Sequence, residues 1–321
     1  MIKCAKKMRL SPYIENIKHD KNSVVTIGTF DGVHLAHQRI IATTVKLAKE
    51  RKGRSVVVTF EPHPREVLDE KTEMRLLTTL QERKEYCEQL GVDWLAVIEF
   101  NKNLSQQTFD EFYLKYVVNG IGASAVVEGY DHHWGKNREG NIQALEKLGI
   151  KHGFDVVKIE QFNYNGVPVS SSLIRKEIMN GFVDKASVLL GRPYSLSGKV
   201  IEGDKRGRTL GYPTANVDIT ENKKVLPKDG IYFVQVQTGN EKYFGMSSIG
   251  LRPTFYKKGK RIFEVNILDF NKDIYGREIK INFLQRLRDE LKFESEDKLV
   301  KKMHEDEQIS RELLGKYLNK E

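Results

Sequence analysis

Apolar and polar positions alternate between two rhythms over the front half of the chain. Short apolar runs at 24–27, 55–60, 94–98, 123–127 and 154–159 have the length and β-branched content of buried strands. Between them the apolar residues recur at helical spacing, over 35–51 (closed by Gly53), about 78–90 (stopped by Gly91) and 105–120, with a further helix capped by Asn141. Strands separated by helices predict parallel βαβ units with right-handed crossovers, hence a doubly wound α/β sheet. Such sheets bind ligands beyond the carboxyl ends of their strands. A helical stretch over 172–190 follows, and after Gly191-Arg192-Pro193 the rhythm changes. Runs at 231–237, 262–269 and 279–283 read as strands divided by Gly, Asn and Lys turns, which predicts a small antiparallel β-barrel. The chain ends in a helix after Ser295 whose stripe Leu299, Met303, Leu313 and Tyr317 reads as packing. The expected division is 1–187 and 188–321.

Composition changes this picture little. The 321 residues suit two domains, and 39% hydrophobic with 30% charged residues describes a globular chain. No apolar run approaches the ~20 residues of a membrane span, and the basic N-terminus lacks the apolar block of a secretion signal. The two cysteines, Cys4 and Cys87, form no CxxC pair, so a reducing cytoplasm is expected. The net charge of +9 is spread among acidic residues and no nucleic-acid motif accompanies it, so neither nucleic acid nor membrane is an expected partner. Oligomeric state is not legible.

Candidate chemistry in the front half centres on GTFDGVHLAH at 28–37, between the first strand and the first helix. Amide groups and the helix dipole favour an anion there. His34 and His37, three apart, face one side and both suit phosphate oxygens; Gly28 and Gly32 allow close backbone approach. Two histidines at this spacing also suit a metal, though no third ligand is evident, and bare HxxH occurs in surface turns.

In the back half there is no GxxxxGK[ST] phosphate loop. The glycines Gly203, Gly207 and Gly211 make a basic loop that by itself reads as a surface turn. It leads into Pro213-Thr214-Ala215-Asn216, where Thr214 and Asn216 project the same way if the segment is extended. Glu264 alternates with Phe263 and Val265 and so points away from their face, the usual place of a solvent-side carboxylate.

These stretches together resemble the bacterial bifunctional riboflavin kinase/FAD synthetases. The 28–37 stretch is similar to the HxGH motif of nucleotidyltransferases in the form GTFDGVHxGH. FEPHP at 60–64 resembles FxPxP, GYDHHWGKNREG at 129–140 resembles GxDFxFGxxRxG, and VSSSLIR at 169–175 resembles ISSTxIR. Further on, PTAN at 213–216, SIGLRPTF at 248–255, FEVNILDF at 263–270 (Asn266 for the usual His), Tyr275-Gly276 and RLRDELKF at 286–293 match the kinase pattern.

The resemblance implies an HxGH-type nucleotidyltransferase domain in front and a riboflavin-kinase barrel behind. It implies riboflavin, FMN and ATP as substrates, FAD as product and Mg2+ as cofactor. His34, His37 and Arg175 would serve adenylyl transfer, with Gly28, Thr29, Phe30, Asp31, Gly32, Ser170 and Ser171 around ATP. Gly203, Gly207 and Gly211 would approach the kinase's ATP, Thr214 and Asn216 its metal, and Glu264 would be its general base. Asp131, Trp134, Pro62 and Arg288 would meet flavin. Two departures stand out: Ala36 occupies the glycine position of HxGH, and His132, His133 and Trp134 replace the usual aromatic set. The competing expectations are a kinase with an impaired front half, or a flavin- or nucleic-acid-binding regulator.

Overall fold

A computed structural model describes residues 8–11, 14–69, 73–130, 140–203, 207, 210–219, 223–251 and 261–318. The chain divides into two compact units, Met1–Ser171 and Ser172–Glu321.

The front unit is a six-stranded parallel sheet. Its strands are β1 (Arg9–Ser11), β2 (Ser23–Ile27), β3 (Ser55–Glu61), β4 (Trp94–Glu99), β5 (Ala123–Gly129) and β6 (Asp155–Ile159), in the order β1-β4-β3-β2-β5-β6. Its helices include α1 (Leu35–Glu50), α2 (Pro64–Leu68), α3 (Leu80–Gln89), α4 (Lys102–Ser105), α5 (Phe109–Phe112) and α6 (Ile142–His152). The central strands β2 and β3 are buried almost throughout and mostly apolar because both faces are covered. Val56, Val58 and Phe60 pack with Phe112, Tyr113 and Val117, while Val57 turns the other way against Ile41, Val45 and Cys87.

Five of the six strands are those expected; the edge strand β1 is three residues long and carries no readable period. The helix expected over 105–120 is interrupted. Thr108 closes a capping box with Glu111 and restarts the chain as α5, which runs into a π-helical stretch, Tyr113–Ile121. There Gly122 N–H reaches back five residues to Val117 O at 3.0 Å, and the wider turn sets Tyr113, Tyr116, Val117 and Ile121 on the core side. A two-strand hairpin, β7 (Asn163–Tyr164) and β8 (Val167–Pro168), turns through Asn165 and Gly166, both left-handed at φ 49° and 78°.

Two short helices, α7 (Ser171–Met179) and α8 (Val183–Leu190), lead into the second unit, and α8 lies against strands of its barrel. The barrel consists of β9 (Tyr194–Ile201), β10 (Ala215–Ile219), β11 (Gly230–Thr238), β12 (Glu241–Leu251), β13 (Arg261–Ile267) and β14 (Glu278–Arg288). It is closed and antiparallel, in the order β10-β13-β12-β11-β14-β9 with β9 returning to β10. Closure leaves no free strand edge. The last helix, α9 (Glu296–Leu318), packs on β12. Among the described residues no helix is long and apolar enough to cross a membrane.

Cys87 lies on the inner face of α3 at 1% exposure, and burial pushes its thiol up to about 12. A thiol held so far above neutral pH carries almost no thiolate and does not react. Peptide mapping after iodoacetamide treatment at pH 8 is expected to find Cys87 unmodified in the native protein and modified once it is denatured.

Candidate active sites

The loop from β2 into α1 is held from behind. Asp31 is 1% exposed, and its carboxylate accepts from the backbone N–H groups of Leu77 and Thr78 (2.9 Å each) and from the Thr78 hydroxyl (3.2 Å). The same hydroxyl accepts from Gly32 N–H at 2.8 Å. Arg83, 2% exposed, donates through Nη1 to Thr29 O (3.1 Å), Thr59 Oγ1 (2.8 Å) and Phe60 O (3.1 Å), and pairs through Nη2 with Glu61. These ties keep Phe30, Gly32 and Val33 at φ 46°, 89° and 38°, a left-handed path that only glycine adopts without strain.

What that path delivers is the start of α1. His34 is the N-cap, and its Nδ1 accepts from His37 N–H at 3.4 Å. The two imidazoles stack with centroids 3.6 Å apart, and Phe30 meets His37 edge-on at 5.2 Å. No acidic residue stands in the helix's first turn, so the helix itself sets no negative charge against an anion at its positive end. Beside the histidines opens a cavity of about 290 Å³, lined by Gly28, Thr29, Phe30, His34, Ala36, His37, Ser170 and Ser171 among others. Ser171 donates to Asp31 O at 2.9 Å, which joins the 169–175 stretch to the loop.

Ala36 is the second residue of α1 with ordinary helical backbone, so the position needs no glycine conformation. Glu128 also lines the cavity at 1% exposure; it accepts from the Tyr113 hydroxyl at 3.2 Å. Burial first, and then the Glu128 charge, push that phenol well above its ordinary value.

In the second unit the extended kinase-like segment lies on the barrel wall. Asn216 of β10 is in register with Glu264 of β13, and Glu264 with Ser248 of β12, so the three side chains form one row across three strands. They share a cavity of about 410 Å³ with Thr214, Gly207, Asn266 and Arg288. Bare backbone is required around it. A Cβ at Gly203 would run into the Asn216 amide, and one at Gly207 into Tyr212 O. Asn266 donates from Nδ2 to Pro213 O at 2.9 Å and pins the 213–216 segment to the barrel. A second cavity of about 400 Å³, lined by Pro213, Thr214, Phe270, Ile274 and Tyr275 among others, lies next to the first, with Thr214 in both.

The chain matches the FAD synthetase family model over residues 16–173 and the riboflavin kinase model over 190–314. It is 39% identical to the bifunctional riboflavin kinase/FMN adenylyltransferase of Bacillus subtilis, over 89% of this chain and 90% of the relative. With the protein of that name from Buchnera aphidicola (Schizaphis graminum) it shares 35% identity, over 97% and 99%. The chain belongs to the bifunctional riboflavin kinase/FMN adenylyltransferase family. A crystal structure of a Streptococcus pneumoniae protein described as a macrolide-efflux protein is similar at 32% identity and TM-score 0.87, covering 95% of this chain and 98% of that one.

Within this family member the structure brings most of the expected residues to the two sites, with exceptions. Asp31 and Gly32 support the front cavity without lining it, and Pro62 lies past the end of β3, outside it. Arg175 is on α7, among the residues of the second unit. Asp131, Trp134, His132 and His133 lie outside the described residues. Arg288 lines the kinase cavity, but its Nε and Nη2 donate to Asp306 of α9 at 2.7–3.0 Å, so it fastens the last helix to the barrel. Gly211 is left-handed at φ 82° and, with Gly203, shapes the loop without lining the cavity.

The missed residues are also clear. Leu299 and Met303 of the terminal stripe line the kinase cavity, together with Met246, Leu291 and Phe293, while Tyr317 packs against Phe244 at 5.6 Å. Arg83 had no sequence signal beyond a charge at a helical position.

The loop's dependence on Asp31 is measurable, since both tryptophans, Trp94 and Trp134, belong to the front unit. Removing an acceptor that leaves several buried N–H groups unmet costs about 3 kcal/mol. Asp31→Ala is therefore expected to lower the urea midpoint of the tryptophan-fluorescence transition with its slope unchanged.

Proposed function

We infer that the chain makes FAD from riboflavin in two ATP-dependent steps, each in its own unit. The observation that carries this is the row Asn216–Glu264–Ser248 in one cavity, with Thr214 between that cavity and its neighbour. A general base must face the hydroxyl it deprotonates, so riboflavin takes the 410 Å³ cavity on the Glu264 side. Its apolar wall, including Met246, Leu299 and Met303, suits a flat ring system. ATP then enters by the adjoining cavity, where Phe270 and Tyr275 suit a base, and its γ-phosphate meets riboflavin at Thr214.

Glu264 takes the proton of the 5′-hydroxyl, the freed oxygen bonds to the γ-phosphorus, and ADP leaves. Thr214 Oγ1 and Asn216 Oδ1 are neutral oxygen donors in a place where Gly203 leaves the amide room, a set that fits Mg2+. Those two residues would hold the ion, which when bound neutralises phosphate charge.

In the front unit a phosphate oxygen of FMN attacks the α-phosphorus of ATP, and pyrophosphate leaves. His34, His37 and the amides opening α1 stabilise the charge, with Ser170 and Ser171 beside them; by the family resemblance Arg175 is assigned to the pyrophosphate. Asp131, Trp134 and Pro62 are assigned to flavin. The functional division at 1–187 and 188–321 leaves α7 and most of α8 with the first activity's sequence, although these helices pack with the second unit. The paucity of cysteine supports a cytoplasmic setting.

Riboflavin with ATP and magnesium is expected to give both FMN and FAD by chromatography; FMN alone would leave only the kinase, and neither product would refute the reading. Glu264→Gln should lower kinase turnover by at least ~100-fold, while FAD still forms from supplied FMN. Because Ala36 is already helical, Ala36→Gly should change the rate of FAD formation from FMN by less than about fivefold, the factor that corresponds to the roughly 1 kcal/mol of a glycine exchange in a helix.

A further inference from the structure

Tyr212 stands two residues before Thr214 and lines neither cavity of the second unit. Its ring is 5% exposed and packs with Met246 and Leu268, with Met303 of α9 against the same group. Its N–H donates to Gly207 O at 2.8 Å. Its hydroxyl lies 2.6 Å from His304 Nδ1 and 3.0 Å from Glu307 Oε2, three residues apart on one face of α9.

A phenol has one proton to donate, and an ionised carboxylate only accepts. The Tyr212 O–H therefore donates to Glu307, and His304 donates its Nδ1–H to the phenol oxygen. Glu307 is held in turn by Arg311 Nε at 2.9 Å, and Arg311 reaches both oxygens of Asp269 at 2.9 and 3.0 Å. Burial, and then the bond to Glu307, push the phenol up to about 12, so it stays protonated at any physiological pH. Helix α9 is thus tied to the barrel through Arg288–Asp306, Arg311–Asp269 and Tyr212. Of these ties, only the last reaches the segment that carries Thr214.

We propose that Tyr212 is a positioning residue for phosphoryl transfer: its hydroxyl, gripped by His304 and Glu307, fixes the 212–214 segment to α9 and so holds Thr214 toward the nucleotide. This deepens the kinase reading above and rests on it. Tyr212 lines neither cavity, so loss of its hydroxyl acts on nucleotide use through Thr214 and leaves the flavin cavity's wall in place.

The test uses the full chain and follows FMN formation with ATP and riboflavin varied separately. Tyr212→Phe keeps the ring and removes the strut; kcat/KM for ATP is expected to fall about tenfold, the scale of one lost hydrogen bond to a charged group. Riboflavin affinity without nucleotide, read by flavin fluorescence quenching, should stay within about twofold of wild type. His304→Leu, which leaves the bond to Glu307, should lower kcat/KM for ATP by less than Tyr212→Phe, and the double variant should be no worse than Tyr212→Phe alone, since the His304 contact acts only through the phenol. His304→Asn, whose amide N–H falls where Nδ1–H was, should restore most of the rate. Unchanged kcat/KM for ATP in Tyr212→Phe overturns the proposal. So does an equal loss of riboflavin affinity, which would make Tyr212 a general support of the unit. Failure of the wild type to make FMN would instead overturn the kinase reading.

Discussion

A buried carboxylate has to be met by donors, and the way Asp31 is met shapes the whole front site. Its oxygens gather the amides of Leu77 and Thr78, and Thr78 in turn takes the Gly32 N–H. The loop between β2 and α1 is thereby bent through three left-handed residues, which is what turns the first helix so that His34 caps it and stacks on His37. An anion-binding helix start works only if its donors are already in place when the ligand arrives, because reorganising them would consume the binding energy. The Asp31 carboxylate is met by amides of Leu77 and Thr78, residues that do not line the cavity. Arg83 does the same for carbonyls at the ends of the strands.

The second unit meets the same need by different means. A closed barrel has a rigid wall but no natural pocket, since its interior fills with side chains. The cavity is built outside the wall by laying α9 across it, and a nearly buried pair, Arg288 with Asp306, fastens the helix there. Taking such a pair out of water is expensive, and it holds because the guanidinium meets both carboxylate oxygens. One helix then supplies apolar cavity wall through Leu299 and Met303 and grips the 212–214 segment through His304 and Glu307. Asn266 holds that segment from the barrel side, so a residue that departs from the usual pattern of the motif has a local structural task.

The four inner strands, covered on both faces, stand out as apolar runs, and the edge strand β6 carries a short apolar run of its own, so five of the six front strands were legible. The edge strand β1, with one buried residue of three, was not. The break at Thr108 was written in a capping box, Thr108 with Glu111, yet the π-helical register after it depends on which side chains the sheet accepts. In the barrel, β9, β10 and β12 carry glycines and polar motif residues in place of a β-branched run, which hides them from periodicity.

Residue types and local spacing set the elements, the histidine pair at a helix start and the alternation that puts Thr214 and Asn216 on one side. Those follow from backbone geometry over a few residues, and the sequence determines them alone. The pairing of Asn216 with Glu264 and Ser248, the use of Asp31 behind its loop and the conversion of a terminal packing stripe into cavity wall join residues far apart in the chain. Only tertiary structure decides such contacts, because strand register and helix docking are settled by the fit of distant surfaces and by which buried charges find partners.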